Sequence, residues 1–405
     1  MRSKAKSPEG GKIENLKIAL FYDWLNQWGG AERLLLDIIK IFPNSPLFTS
    51  VYDSDKTSWL PKDTKIIPSC LNKFKIFSKN SPLSLLLQPI ALEQFDFSNF
   101  DIVISLSGMQ GKCLITQPQT LHINYCLTPN RYLYQKNLPL NNFYKKIDHI
   151  YSQRPDYYLT TSKAVQKRIT KHFNRNSTVI YPGINLSLFK PTKHHLNRNL
   201  CHSERSRGIS QPLNYSINQR SRDPSTSVGM TNKPYFLIVS RLVKHKKIDI
   251  VIKACQQLNV SLKIVGTGRH QNYYKKQANK DTRFLGLVSD KKLIYLYQNA
   301  TALICPQLED FGLTPLEAQA CGTPVIAFNK GGFKETIVPN KTGILFNHQN
   351  TSSLVSAIHK FQPTRLNPKN CTKNAKNFSQ HRFMLNFKKE VITLWQKHKK
   401  THTTI

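Results

Sequence analysis

Acidic residues are scarce in this chain of 405 residues, which has 59 lysines and arginines, 23 aspartates and glutamates, and a formal net charge of +36. Such an excess attracts polyanions of every kind, including nucleic acid, anionic lipid and phosphorylated substrates. The basic residues are spread along the whole chain, and neither zinc-finger spacing nor an RNP-like aromatic motif is present. We therefore favour a solvated basic surface and expect no specific nucleic-acid partner.

Long apolar runs are also missing. The densest apolar cluster, 83–92, is interrupted by polar residues and a proline, and it is shorter than the roughly 20 residues that cross a bilayer. The basic start MRSKAKSPEGGK has no apolar core, so we expect no secretory signal and a cytoplasmic location. Lys73–Lys79 and Leu83–Leu87 mix cations with apolar side chains, which leaves two alternatives open: contact with the inner face of an anionic membrane, or packing within the domain.

The eight cysteines have neither metal-ligand nor redox-pair spacing, and no aspartate-rich metal motif is found. Cys126, Cys255, Cys305 and Cys321 lie in apolar contexts, which predicts buried thiols. The Gly266-Thr267-Gly268 run falls short of a complete GxGxxG dinucleotide fingerprint. No metal and no cofactor are expected.

What the chain does have is a repeated alternation of strand and helix patterns. The predicted strands are Leu16–Phe21, Asp101–Ser105, Leu121–Cys126, Tyr157–Thr160, Ser177–Ile180, Tyr235–Val239, Ser261–Val265, Thr282–Leu285, Ala302–Pro306 and Val325–Phe328. Helical patterns include Glu32–Ile41, Asn141–Gln153, Ser162–Phe173 with a serine cap, and Arg382–Lys397. This alternation predicts an α/β protein with two Rossmann-like halves, whose ligands bind beyond the carboxyl ends of the strands in the cleft between them.

Between the halves, residues 193–233 are rich in serine, arginine, asparagine and histidine and have no apolar periodicity. Such a composition predicts a disordered linker or insertion without a chemical role.

The stretch Glu309–Ala327, EDFGLTPLEAQACGTPVIA, places two carboxylates and a helix start between two apolar strands. Thr314-Pro315 has the pattern of an N-cap followed by a first-turn proline, and Gly322 that of a helix end. Glu309 can then face a ligand from the loop, while Glu317 accepts hydroxyl hydrogen bonds from the first helical turn. The alternative is a capping box, in which Glu317 serves only its own helix.

Two further segments carry ligand-binding patterns. Gly29-Gly30 opens a helix shortly after the first strand, where a backbone without side chains can approach a phosphate. Arg241 and Lys246 follow the strand Tyr235–Val239, and such a pair can clamp a diphosphate. Glycine pairs commonly only turn the chain, and basic residues in so basic a protein are commonly surface charges.

Taken together, these segments resemble glycosyltransferase family 4, retaining nucleotide-sugar enzymes of the GT-B fold. The resemblance rests on Glu309, Phe311-Gly312, Glu317 and the following Gly322-Thr323-Pro324-Val325, and on the run FYDWLNQWGGAERLLLDIIKIFPNSPLFTSVYD. It covers roughly residues 15–190 and 234–360. It implies an acceptor-side domain at 15–190, a linker at 191–233, a donor-binding domain at 234–365, and a C-terminal helix at 375–400 that crosses back to the first domain.

The resemblance also implies a function and a site. The enzyme would move a hexose from a nucleotide diphosphate, GDP or UDP, to a glycan or lipid-linked acceptor in surface polysaccharide synthesis, with retention and without a metal. The implied catalytic residues are Glu309, Arg241 and Lys246, and the donor-binding residues are Gly29, Gly30, Phe311, Gly312, Leu313 and Glu317.

Two positions depart from the family pattern. Leu127, in YCLTPNRY, stands where the family usually has a histidine that approaches the sugar, and leucine can neither hydrogen-bond a hydroxyl nor stabilise charge. His122 lies five residues earlier on the strand, and alternation predicts that it points away. Lys247 stands where glycine is common. A catalytically weak GT-B scaffold that binds nucleotide sugars therefore remains an alternative, as does a nucleic-acid-binding protein on charge alone.

Overall fold

The structure of the chain, a computed structural model, describes residues 15–74, 84–135, 141–192, 234–363 and 366–402. These residues build two parallel β-sheets, one before and one after the gap at 193–233. The predicted α/β class with two Rossmann-like halves is confirmed. The predicted linker lies outside the described residues except for its first two positions. Residues 75–83, part of the segment for which membrane contact and packing within the domain were left open, also lie outside them.

The N-terminal sheet consists of seven strands: β1 Ile18–Leu25, β2 Leu47–Tyr52, β3 Ile66–Pro68, β4 Ile102–Ser107, β5 Leu121–Cys126, β6 Tyr157–Thr160 and β7 Thr178–Val179. Their spatial order is β3-β2-β1-β4-β5-β6-β7, with parallel pairing throughout. The helices of this half are α1 Gly30–Ile41, α2 Ser84–Leu92, α3 Arg131–Gln135, α4 Asn141–Tyr151 and α5 Lys163–Phe173. Leu20 and its neighbour Phe21 belong to different apolar clusters, because side chains alternate across a sheet that is covered on both faces.

The C-terminal sheet has six strands: β8 Tyr235–Val239, β9 Ser261–Val265, β10 Thr282–Gly286, β11 Ala302–Cys305, β12 Val325–Phe328 and β13 Gly343–Phe346. Their order is β10-β9-β8-β11-β12-β13, again parallel. Its helices are α6 Ile248–Gln257, α7 Gln271–Gln277, α8 Asp290–Asn299, α9 Leu313–Ala320, α10 Phe333–Thr336, α11 Thr351–Lys360 and α12 Pro368–Lys376. The predicted buried thiols Cys126, Cys255, Cys305 and Cys321 are buried.

The last helix, α13 Gln380–His402, returns to the N-terminal half. Its apolar face packs into the same cluster as β5, where Tyr125 lies 5.4 Å from Phe387 and 6.3 Å from Phe383 between ring centroids. Both phenylalanines are almost completely buried, and each contributes about 2–3 kcal/mol of apolar transfer free energy. The predicted helix Arg382–Lys397 is thus confirmed within a longer one. None of the described helices is both long and apolar enough to span a membrane.

Both sheets reverse their strand order once, and the candidate site lies at these two reversals. In the N-terminal sheet the reversal falls between β1 and β4, where Asp23 accepts hydrogen bonds from Ser107 Oγ at 2.8 Å and from three consecutive backbone N–H groups, those of residues 108–110. In the C-terminal sheet it falls between β8 and β11, which lead into Arg241 and Glu309 respectively. Open parallel sheets bind ligands at such points.

Most strand predictions agree with the structure, and five coincide residue for residue: β5, β6, β8, β9 and β12. Ser162 caps α5 as predicted, because its Oγ accepts the Val165 N–H at 3.1 Å. The first strand was predicted too early and too short: it spans Ile18–Leu25, since Trp24 and Leu25 continue the pairing with β2. Strands β2, β3 and β13 were not predicted.

Candidate functional site

Helix α9 begins differently from the sequence prediction. Thr314 is not the N-cap and Pro315 is not the first helical residue; the helix starts at Leu313 after Gly312. Gly312 has φ +93°, and a Cβ added to it would lie 2.6 Å from the Phe333 ring. The chain can therefore turn from loop to helix only where glycine provides both the left-handed conformation and the space.

This start excludes the capping-box alternative and corrects the place of Glu317. Thr314 and Glu317 both lie inside the helix, so Glu317 falls in its second turn rather than its first. The end of the helix agrees with the prediction, since Gly322 follows it with φ +86°.

Glu309 lies in the loop that follows β11. Its Oε2 accepts hydrogen bonds from Lys246 Nζ at 2.5 Å and from Gln307 Nε2 at 3.2 Å. Burial by itself would raise the pKa of this carboxyl, but the Lys246 charge and these hydrogen bonds outweigh it, so that the pKa lies below its usual value. Glu309 is therefore a carboxylate at neutral pH.

Glu317 is in the opposite situation. Its side chain is only 3% exposed; Oε1 accepts a hydrogen bond from Arg33 Nη1 at 2.5 Å, and Oε2 accepts one from the Tyr297 hydroxyl at 2.9 Å. Burial raises the pKa of this carboxyl above its usual value, although Arg33 and Tyr297 lower it in part. Arg33 belongs to α1, so the two halves of the chain meet at this carboxylate.

The two predicted diphosphate-binding cations are placed differently. Lys246 is 13% exposed and donates to Glu309, which leaves two of the three donors of its ammonium group for another anion. Arg241 is exposed, and its charge acts on the other half of the molecule. Burial and the Glu32 carboxylate raise the pKa of the Tyr22 phenol well above its usual value, and the Arg241 charge offsets part of this rise.

The glycine pair of the N-terminal half meets the helix of the C-terminal half. Gly29 precedes α1, and a Cβ on Gly30 would lie 3.4 Å from Leu313 Cδ1, within van der Waals contact. The structure therefore brings Gly29-Gly30 and Leu313 together, although they are almost three hundred residues apart in the chain.

The loop between Glu309 and α9 is supported by a second glycine pair. Cβ atoms on Gly331 and Gly332 would lie 2.2 Å from the Glu309 carbonyl oxygen and 2.4 Å from Phe311 Cα, and the Gly332 N–H donates to that oxygen at 2.9 Å. Phe311 is buried and stacks on Tyr181 at 5.7 Å between ring centroids. Its side chain is thus part of the core, and only its backbone is left for the predicted ligand contact.

His122 points away from the side that Leu127 takes, as strand alternation predicted. Leu127 packs against the apolar cluster of the N-terminal half. His122 is fully buried, and its Nε2 lies 2.8 Å from Ser105 Oγ within the sheet. Burial lowers the pKa of His122 to about 3, so this neutral imidazole is part of the sheet interior and not of the cleft.

Sequence reasoning missed the residues that join the two halves. Asp310 forms ion pairs with both Arg131 and Arg168, and the Asp310 carbonyl oxygen accepts a hydrogen bond from Ser162 Oγ at 2.6 Å. The signal was present, since Asp310 lies inside the quoted motif and Arg131 in YCLTPNRY, but no spacing rule pairs residues of different domains.

A second missed contact involves Glu335 of α10. Its carboxylate accepts the backbone N–H groups of Lys163 at 2.8 Å and Ala164 at 3.0 Å, at the start of α5, and the Tyr181 hydroxyl at 3.0 Å. A carboxylate at a helix N-terminus is favourable because free N–H groups and the helix dipole meet it there. The two halves are therefore joined beside the loop that carries Glu309.

The arrangement combines groups that bind phosphates with groups that bind hydroxyls. Arg241, Lys246 and the first turn of α1 present positive charge and N–H groups, while Glu309 and Glu317 present hydroxyl acceptors on either side. Among the described residues, no group of three or more His, Cys, Asp or Glu side chains could hold a metal ion.

Comparisons with known proteins find similarity to glycosyltransferases. Residues 221–378 match the family model described as glycosyl transferases group 1. The chain is 25% identical over 423 aligned positions to the alpha-1,3/1,6-mannosyltransferase ALG2 of Dictyostelium discoideum, covering 91% of this chain and 95% of that protein. A GDP-mannose-dependent monoacylated alpha-(1-6)-phosphatidylinositol monomannoside mannosyltransferase of Corynebacterium glutamicum is 34% identical over 128 residues, which are 28% of this chain and 33% of that protein.

Solved structures share the fold over nearly the whole chain. Sucrose-phosphate synthase of Thermosynechococcus elongatus superposes with a TM-score of 0.67 at 17% identity and covers 94% of this chain and 100% of its own. HepE of Anabaena, solved with UDP-glucose, has a TM-score of 0.63 at 19% identity and covers 96% and 100% respectively.

Proposed function

Because the chain has the GT-B fold and matches the glycosyl transferases group 1 model, we propose that it is a family 4 glycosyltransferase that moves a hexose from a nucleotide diphosphate to a glycan or lipid-linked acceptor, with retention of the anomeric configuration. The observation that carries the proposal is the convergence at one cleft of Lys246 paired with Glu309, Arg33 paired with Glu317, and Gly30 placed so that an added Cβ would touch Leu313.

In the proposed donor complex, Glu317 accepts the ribose hydroxyls, and Arg241 and Lys246 hold the diphosphate. A carboxylate offers about four lone-pair sites, and two of those on Glu317 are used by Arg33 and Tyr297, which leaves two for a vicinal diol. Gly29 and Gly30 admit the diphosphate close to the start of α1, where N–H groups point at the ligand.

The proposed chemistry relies on stabilising the leaving group. As the bond from the anomeric carbon to the diphosphate breaks, negative charge grows on the phosphate oxygens, and the remaining Lys246 donors together with Arg241 offset it without a metal. Glu309, ionised and fixed by Lys246, contacts hydroxyls of the transferred sugar beside the Phe311-Gly312 backbone. The acceptor hydroxyl enters from the N-terminal half and bonds to the anomeric carbon on the face from which the diphosphate departs, and its proton passes to a phosphate oxygen of the leaving nucleoside diphosphate, which gives retention.

For the donor we propose a GDP- or UDP-linked hexose, with mannose the first to test. Two of the relatives act as mannosyltransferases by their names, one of them GDP-mannose-dependent, whereas the HepE structure contains UDP-glucose. The proposed setting is surface polysaccharide synthesis in the cytoplasm, at the inner face of the membrane.

Contact with that membrane is supported by two neighbouring helices. Ile90 of α2 is 68% exposed and Ile150 of α4 is 64% exposed, and Glu93 and Arg154, just after the two helices, form an ion pair of 3.7 Å. Exposed apolar side chains with a cation nearby, as Ile150 has in the exposed Lys146 of the same helix, bind anionic interfaces. Ile150→Asp should weaken co-sedimentation with phosphatidylglycerol vesicles. Leu287→Asp, at a residue 79% exposed in the other half, should not. Equal binding of both variants to the vesicles would contradict the proposed membrane-binding surface.

The function is tested by a donor screen that uses mass spectrometry to follow the released nucleotide and any sugar product. We expect the wild-type chain to transfer or slowly hydrolyse one nucleotide hexose, and Lys246→Ala to lose this activity. Arg283→Ala, an exposed arginine on the edge strand β10, serves as the control and should retain it. Binding of nucleotide sugars without transfer or hydrolysis across the panel would contradict the enzyme proposal.

One observation favours a second candidate, a GT-B scaffold that binds donors but turns them over weakly. Leu127 fills the place of a polar group with an apolar side chain packed on the core. The Leu127→His variant in the same screen separates the two candidates. Transfer by the variant alone assigns the natural chain to the weak scaffold, whereas comparable transfer by both chains assigns it to the active enzymes.

A further inference from the structure

Arg33 is the side chain that joins the N-terminal half to the predicted ribose-binding carboxylate. Its Nη1 lies 2.5 Å from Glu317 Oε1, and the arginine side chain is 35% exposed while the carboxylate is 3% exposed. The chain separates the two residues by 284 positions, so no local structural need explains the pair.

The arginine is held in place by its surroundings on α1. The Trp28 ring lies beneath its guanidinium, 5.8 Å from centroid to Cζ. The preceding residue, Glu32, is buried and accepts the Tyr22 hydroxyl at 2.7 Å, which fixes the first turn of the helix against β1. Gly30 faces Leu313 at the start of α9 so closely that an added Cβ would lie 3.4 Å from its Cδ1. Arg33 is therefore aimed at Glu317 by a rigid helix start and not by a flexible loop.

Four groups from the elements packed against Glu317 bear on its charge. Arg33 of α1 and the Tyr297 hydroxyl of α8 favour the carboxylate, while the Asp290 charge at the start of α8 opposes it, and the Cys321 thiol at the end of α9 lies close enough for the carboxylate to raise its pKa. Burial is the largest influence and disfavours the carboxylate. Arg33 supplies the positive charge among these groups.

We propose that Arg33 is a positioning residue of the donor site: it keeps Glu317 ionised and oriented, so that the nucleotide ribose is bound tightly only while the two halves of the molecule are together. The inference rests on the proposed function, in which Glu317 accepts the ribose hydroxyls. Since a buried carboxylate that loses its cation takes up a proton more readily, withdrawal of Arg33 removes one acceptor of the ribose diol.

The test measures nucleotide binding by calorimetry as a function of pH, with UDP and GDP as probes and the tighter of the two retained. Arg33→Ala should weaken binding at neutral pH by roughly tenfold or more, because Glu317 loses the cation that keeps it ionised and oriented. Binding to the wild type should fall on acidification as Glu317 protonates. In Arg33→Ala this fall should begin at higher pH, and Arg33→Lys, which keeps the charge, should bring it back towards the wild type.

A second probe, the matching 2′,3′-dideoxynucleoside diphosphate, reports the ribose contact directly. The wild type should prefer the ribose form, and both Glu317→Gln and Arg33→Ala should reduce that preference, whereas Arg283→Ala should not. These outcomes separate the two claims. If the wild type shows no preference, or binds neither nucleotide, the role of Glu317 fails and the inference with it. If the preference depends on Glu317 while Arg33→Ala keeps the wild-type preference and pH midpoint, only the inference about Arg33 is overturned.

Discussion

The loop Glu309–Phe311 and the helix Leu313–Ala320 that follows it place their carboxylates in opposite environments. Glu309 is paired with Lys246 of its own domain, and its pKa is lowered. Glu317 is more deeply buried, its cation comes from the other domain, and its pKa is raised. The loop thus carries a charge that its own domain secures, whereas the charge on the helix depends on how the two domains meet.

The loop and the helix both contact the N-terminal half across the cleft, but through different residues. The loop does so through Asp310, which is 17% exposed at the side chain and pairs with two arginines of the N-terminal half. The helix does so through Glu317 itself. A change at Asp310 should therefore disturb the joining of the domains without removing a ligand group, and a change at Glu317 should do both.

The largest effect is expected from Lys246→Ala, which removes the cation paired with Glu309 in the loop. Glu309 would lose its partner and the diphosphate one of its donors, so kcat should fall by about 10²–10³-fold. Steady-state kinetics with the donor found in the screen would show this. Lys253→Ala, an exposed lysine on α6, is the matched control. A loss confined to KM would mean that Lys246 only binds the donor.

A smaller effect follows from a methyl group placed beneath the loop. Gly331→Ala combines φ +68° with a Cβ only 2.2 Å from the Glu309 carbonyl oxygen, so the loop must move. We expect a loss of about 3 kcal/mol in the free energy of unfolding, measured by denaturant titration. Gly286→Ala has a similar φ, +65°, and open space around the Cβ, so it should cost only about 1 kcal/mol. Equal losses would mean that the contact with Glu309 is unimportant.

Asp310→Asn should separate the joining of the domains from ligand contact. Without the carboxylate charge, Arg131 and Arg168 lose their common partner, and kcat/KM should fall by about tenfold as the closed arrangement becomes less favourable. Small-angle scattering should give a larger radius of gyration than for the wild type. Asp96→Asn, at a fully exposed aspartate of the N-terminal half, should change neither quantity. An unchanged radius together with lost activity would point to a direct role of Asp310 in catalysis.

The sequence predicted those parts of the site whose structure is determined by residues close to them in the chain. Glu309 after an apolar strand, Gly322 at the helix end and the capping Ser162 could be identified because each depends on its immediate neighbours. The start of α9 was misplaced because the usual N-cap pattern of Thr314-Pro315 competes with Gly312, whose space beside Phe333 is visible only in three dimensions. Strands β2 and β13 were missed in the same way, since they are defined by pairing with distant partners.

The contacts between the domains could not be predicted at all. Arg33 and Glu317 are 284 positions apart, and Arg131 and Asp310 are 179 apart, in a chain with many other basic residues. Nothing in the spacing selects one arginine over another. Only the relative placement of the two sheets brings these pairs together.

The smallest effect concerns Lys247, where the family commonly has glycine. Lys247 has φ +53° just before α6, and this left-handed conformation is unfavourable for a side chain with a Cβ. Lys247→Gly should therefore raise the free energy of unfolding by about 1 kcal/mol. The matched Lys253→Gly change inside α6 should lower it by about the same amount. A loss of stability in Lys247→Gly would mean that the lysine side chain makes contacts that outweigh the strain.

The central claim is that Glu317 binds the donor ribose while Glu309 contacts the transferred sugar. Its most direct test is a kinetic comparison of Glu309→Gln and Glu317→Gln with the same donor. The account predicts that Glu317→Gln mainly raises KM for the donor, because the ribose contact is lost in the ground state and the transition state alike. It predicts that Glu309→Gln mainly lowers kcat, because its sugar contact matters as the diphosphate leaves. Changes in the same parameter and to the same extent in both variants would contradict it.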